Sequence, residues 1–252
     1  MNILELVNIP NKAQADRRIF VKDILARLEL SSRDKQFFEK TVGTIHVKGI
    51  LNESTSNIWS YVDDTYYYKE IILFYVVLKD ITKVAFVNEQ LQKVFPNPIV
   101  IFYEFGSKYA ISTALKRLNK LEKGKTVIEE IQLSDFFELD DKHIQLLNKH
   151  SYDFNNLKNY YVSVNNLVAT EELVDLTGVV PEVIDETVKA KSIKIKKLLK
   201  QKKELEEAYK EADSIQERMG IYIKIKKVDE KILLFVSEGD WYEKSKEIFE
   251  RK

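Results

Sequence analysis

Hydrophobic positions along the chain first follow strand rules and later helix rules. Ile71 to Leu78, IILFYVVL, is an unbroken run of β-branched and aromatic residues, too short for a buried helix, and predicts a central strand. Beyond it, Val84, Val87, Leu91 and Val94 recur at three and four residues, which predicts a helix ending before Pro96, with Asp80 as its cap. PIVIFYEF and KYAISTALK then read as two strands joined at Gly106-Ser107, where glycine tolerates a tight hairpin turn, and TVIEEIQL reads as another.

Upstream, the spacing of Ile19, Ile24, Leu25 and Leu28 predicts a helix with Arg17, Arg18, Lys22 and Asp23 on its other faces. Ser31, with Asp34 three residues on, predicts the cap of a second helix through Phe37 and Phe38, and TVGTIHVKGIL reads as a strand. Downstream, Leu157, Tyr161, Val164, Leu167 and Val168 predict a helix within 153–176, closed by Gly178. These elements describe an α/β (α+β) domain, a mixed sheet flanked by helices, over residues 1–180.

From Glu182 the pattern shifts to a seam. Ile184, Val188, Lys191, Ile195, Leu198, Lys202, Leu205, Tyr209 and Ala212 alternate four- and three-residue steps, and Ile221, Ile225, Val228, Ile232 and Phe235 continue the spacing. Two such series predict an antiparallel coiled-coil hairpin turning between Ala212 and Gly220. One long helix paired with another chain is the rival geometry. Residues 181–252 therefore form a carboxy-terminal arm, and Asp240 to Lys252 reads as a further helix.

Charge changes this picture only locally. Forty basic and forty acidic residues cancel, so no overall field draws the protein to nucleic acid or membrane. Within the arm, however, Lys189, Lys191, Lys194, Lys196, Lys197, Lys200, Lys202 and Lys203 occur with no acid among them, and acids dominate from Glu204 to Glu217. In a hairpin the tip acids would face Lys224, Lys226 and Lys227, leaving a basic patch at the base. Lys189, Lys196, Lys197, Lys200 and Lys203 are the candidate nucleic-acid contacts, and the plainer reading of the same residues is a solvated helical surface.

Candidate chemistry is sparse. The chain has no Cys, hence no disulfide or thiolate site. His143 and His150 read as exposed polar residues rather than zinc ligands, and Gly124-Lys125-Thr126 lacks the first glycine of a phosphate loop. Asp63, Asp64, Glu70 and Glu104 do not fall in the spacing of a metal-dependent nuclease, and Glu104 with Lys108 reads as a cross-strand pair. Tyr66, Tyr67 and Tyr68 could stack on bases, but alternating burial at a strand start explains them more simply. No catalytic residue, metal or cofactor is expected. The amino terminus has no basic region before its short apolar patch, and no run approaches the roughly 18 apolar residues of a membrane span, so a cytoplasmic protein is expected.

The segments IPNKAQADRR, EIILFYVVLKD and VFPNPIVIFYEFGSKYAISTALKR, followed by the lysine-glutamate arm, resemble the domain of unknown function 4391 family, with Pro98-Ile99, Ala114 and Lys116 the best match. The resemblance implies a bacterial accessory subunit, similar to proteins encoded beside DNA methyltransferases and superfamily-two helicases in restriction and anti-phage loci. It carries no catalytic residues. The expected function is a non-enzymatic interaction subunit with a helicase or methyltransferase partner, DNA as a candidate ligand and self-association through the coiled coil. A divergent metal-dependent nuclease and a homodimerising scaffold stay open beside it.

Overall fold

The computed structural model describes residue 3 and residues 9–122, 124–148 and 152–237. His150 and the expected helix from Asp240 to Lys252 lie outside the described residues. The chain divides into two compact units, 1–168 and 169–252. The division falls within a helix, ahead of the Gly178 to Pro181 stretch where composition changes.

The first unit is built on six strands: β1 (Gln14–Ile19), β2 (Val42–Leu51), β5 (Ile71–Leu78), β6 (Ile99–Phe105), β7 (Lys108–Leu118) and β8 (Thr126–Leu133), in the order β1-β2-β5-β6-β7-β8. A second sheet has two strands, β3 (Tyr61–Val62) with β4 (Tyr67–Tyr68). β5 and β6 run parallel and every other neighbouring pair is antiparallel. A parallel pair needs a crossover, which α4 (Val84–Val94) supplies between them. The remaining helices of this part are α1 (Val21–Leu25), α2 (Ser32–Thr41), α3 (Glu53–Ser56) and α5 (Asp141–Leu146).

Alternation sorts the sheet into two covered faces. Ile45, Phe74, Val76, Ile101 and Tyr103 pack with Ile24 of α1, Phe38 of α2 and Val87 and Leu91 of α4 in one core. Thr113 points the other way and accepts a hydrogen bond from Asn165 of α6 (Leu157–Thr177), 3.0 Å away.

Several expectations hold at the level of single residues. The Ser31 hydroxyl accepts from the Asp34 N–H and caps α2. Gly106, at φ 62°, makes the turn between β6 and β7. Gly178, at φ 68°, donates its N–H to the Val174 carbonyl and closes α6.

Others are corrected. The helix expected around Ile19 is an edge strand, β1, followed by the single turn of α1; Arg17 and Arg18 lie opposite Val47 and His46 of β2. Asp80 does not cap α4: its carboxylate binds the N–H and hydroxyl of Thr82, and Lys83 occupies the cap position without a side-chain bond. His143 is buried at 2% exposure, stacked on Phe137 at 4.3 Å and bonded through Nδ1 to Asp140 at 2.6 Å. Glu104 lies opposite Tyr109 rather than Lys108 and accepts from the Tyr75 hydroxyl.

Tyr161 fastens α6 to the sheet. Its buried hydroxyl accepts from the Ala114 N–H at 2.9 Å and donates toward the Ile99 carbonyl at 2.8 Å. Ile99 and Ala114 lie just past the last recorded β6–β7 pair, Ile101 with Ser112, so the phenol replaces ladder bonds where those strands part. Tyr161→Phe should leave buried backbone groups unpaired and cost about 1–3 kcal/mol, read as a lower denaturant midpoint at unchanged slope.

The second unit contains the end of α6 with α7 (Glu186–Glu211) and α8 (Ile215–Ser237). Leu173, Val188, Ile195, Val228, Ile232 and Val236 form its buried core, with Leu198, Leu205 and Phe235 packed against it. α7 and α8 form the expected hairpin, with the break at Ala212 to Ser214, so Gly220 falls inside α8 rather than in the turn. Asp185 accepts from the Thr187 and Val188 N–H groups and starts α7. No described helix is long and apolar enough to cross a membrane.

Candidate nucleic-acid interface

The apolar seam fixes which lysines of α7 reach solvent. Val188, Ser192 and Ile195 are buried, and Leu198 and Leu199 are half-buried. At about 100° per residue, Lys197 and Lys200 lie opposite this stripe and Lys203 follows on its flank. All three are exposed, and among the described residues none has an ion-pair partner.

The other two candidates are placed differently. Lys189 is only 5% exposed and lies 3.6 Å from Glu186, although by rotation it shares its side of α7 with Lys200. Lys196 is half-buried and 3.1 Å from Glu172. The five lysines grouped by sequence therefore separate into two engaged in ion pairs and three presented outward. Lys202, a polar residue within the apolar spacing, reaches across the hairpin to Asp229 at 2.7 Å and also approaches Glu206. Among the described residues none of Lys224, Lys226 and Lys227 makes an ion pair with the tip acids.

The acidic residues of the first unit are drawn into local structure. Asp63 accepts from the N–H groups of Thr65 and Tyr66 and from the Tyr61 hydroxyl, which folds the β3–β4 turn and holds its carboxyl below the usual range. Glu70 accepts from the Asn97 side chain at the start of β5, whereas Glu104 is paired at the level of Val77, near its end. Seven strand residues separate those levels, roughly 23 Å. One cation cannot bridge them.

The tyrosines near this turn also differ in what they offer. Tyr68 is buried, and the Lys158 ammonium sits 3.8 Å from the centre of the Tyr66 ring and 4.6 Å from that of Tyr61. A base stacking on those faces would have to displace a cation. Tyr67 is the more exposed ring, with Lys69 5.4 Å from its centre.

Sequence reasoning passed over Lys116 as a chemical group. Its ammonium is buried and donates to the carbonyls of Phe95 at 2.7 Å and Asn97 at 2.9 Å. Burial pushes it down to about 7. Period-two counting along β7 was the available signal, since Ser112, Ala114 and Lys116 share one parity. The side chain holds the bend between α4 and β6 and lines a cavity of about 190 Å³ with Tyr67, Pro98 and Arg117.

A family model described as Domain of unknown function (DUF4391) matches residues 7–232. No curated protein and no solved structure matches the chain.

Proposed function

We propose, from the premise that this chain belongs to the DUF4391 family, that it is a non-enzymatic accessory subunit of a DNA-processing system whose helical hairpin contacts the phosphate backbone. The observation that carries the reading is the row Lys197, Lys200 and Lys203: three exposed ammonium groups on one helix, without ion pairs among the described residues. Such a row can neutralise phosphates without reading sequence, which suits a subunit that positions a partner on DNA. Lys189 and Lys196, already paired with acids, take a structural part. The bacterial defence setting and a helicase or methyltransferase partner rest on the family resemblance and belong to the same proposal, as does a cytoplasmic location.

Gel retardation of duplex and single-stranded DNA tests it. The parent protein should retard DNA, and Lys197→Glu with Lys200→Glu and Lys203→Glu should abolish retardation while leaving helix content intact. No retardation by the parent would defeat the proposal. Cleavage of the DNA when a divalent ion is added would favour a nuclease instead.

A further inference from the structure

α8 is apolar on two sides, and among the described residues only one of them is covered. Val228, Ile232 and Val236 face the core of the second unit. On the opposite side, Ile215 is 84% exposed and Met219 66%, and Tyr222, Ile223, Leu233 and Leu234 are exposed as well. Steps of three and four residues from Ile215 to Ile223, and of eleven from Tyr222 to Leu233 and from Ile223 to Leu234, keep them on one side of a helix with 3.6 residues per turn. A solvated helix carries polar residues there. A stripe of large apolar side chains on a rigid element marks a docking surface.

The arrangement of the stripe points to its occupant. Apolar residues stand at both ends, Ile215 and Met219 at one and Leu233 and Leu234 at the other, with Lys226, Lys227, Asp229 and Glu230 between Ile223 and the far end. Laid antiparallel on itself about a two-fold axis at Lys224, the stripe brings Ile215 against Leu233 of the second copy. It also brings Lys226 over the other copy's Tyr222 ring and Arg218 toward its Glu230. Within one chain Lys226 already lies 5.5 Å from the centre of the Tyr222 ring, a geometry a second copy can extend. A parallel pairing would instead set Lys226 and Lys227 against themselves, which costs energy.

We propose that the outward stripe of α8 docks a second copy of this chain, antiparallel, in an isologous dimer. The dimer does not depend on the DNA contact of α7, whose Lys197 and Lys200 lie on a different helix face.

The absence of cysteine from the chain makes the test direct. By light scattering, the full-length parent should have a mass near twice 29.6 kDa, and Met219→Glu with Ile223→Glu, both at exposed positions, should give the monomer mass with unchanged helix content. Ile215 and Leu233 lie 18 residues, about 27 Å, apart along the helix. Under mild oxidation, a mixture of Ile215→Cys and Leu233→Cys chains should therefore form a covalent dimer that neither gives alone. A monomeric parent, a double variant that stays dimeric, or single-cysteine chains that each link to themselves would overturn the proposal.

Discussion

Raising the pH from 7 to 9.5 should stabilise the sheet unit, and Lys116→Met should remove most of that gain. The folded Lys116 ammonium is pushed from 10.5 down to about 7 by burial, with backbone carbonyls as its bonded acceptors. Between those values the unfolded chain binds the proton and the folded chain releases it, so stability rises with pH. Below about 7 both states are charged and the burial penalty is complete. The slope cannot exceed roughly 1.4 kcal/mol per pH unit for one group. Two carbonyl acceptors retain part of the charge's stabilisation, so a rise of about 2–3 kcal/mol by pH 9.5 is expected. Burial raises Tyr68, Tyr103 and Tyr161, and a group held protonated in the folded state withdraws stability once the unfolded phenol ionises near pH 10. Denaturant titrations at pH 7, 8 and 9.5 on both proteins check the prediction, and parallel curves would refute it.

The second large effect is expected at Ile195. Its side chain is fully buried among Val188, Val228 and Ile232 in a core contributed by few residues. Ile195→Asp removes that apolar contact and buries a carboxylate with no cation held for it, a combined cost of several kcal/mol. A two-helix core has little reserve against such a loss. Far-ultraviolet dichroism should lose much of the helical signal of α7 and α8, and limited proteolysis should open cleavage within 186–237. Lys197→Asp, two residues away on the exposed side, should leave both readouts unchanged.

How far the fold could be read ahead of the structure depended on how strongly each element advertises its period. β5 and β6 stand out because nearly all their positions, IILFYVVL and IVIFYEF, are β-branched, aromatic or leucine, with Glu104 the exception, as befits the middle of a sheet covered on both faces. The hairpin of α7 and α8 stands out because its apolar spacing persists for several turns on each helix. β1 does not. QADRRI is an edge strand with Ala15 and Ile19 as its half-buried residues, and Ile19 also fits the helical spacing that continues through Ile24 and Leu25. The ribbon of β3 and β4 has two residues per strand, too few to show any period.

The candidate interface was legible only in outline, for a related reason. Composition located the lysine block, but exposure depends on what each side chain meets in the fold. Lys189 and Lys200 share one side of α7 by rotation, yet Lys189 is buried beside Glu186 and Lys200 is exposed. The apolar stripe on the far side of α8 was hidden by the success of the first seam: once Val228 and Ile232 were assigned to the core, Met219 and Leu233 had no stated role. Lys116 went unnoticed as a buried charge because nothing in KYAISTALK says that the face bearing Ser112 and Ala114 is dry to its end.

Contact between the hairpin and phosphate is the central claim, and the salt dependence of DNA binding measures it most directly. Affinity for a non-specific duplex, titrated across sodium chloride concentrations, should fall linearly on logarithmic axes. Replacing Lys197, Lys200 and Lys203 with Gln should lower the magnitude of that slope by about 1 for each lysine removed. A parent whose binding is absent, or a slope that the three replacements leave unchanged, would contradict the account.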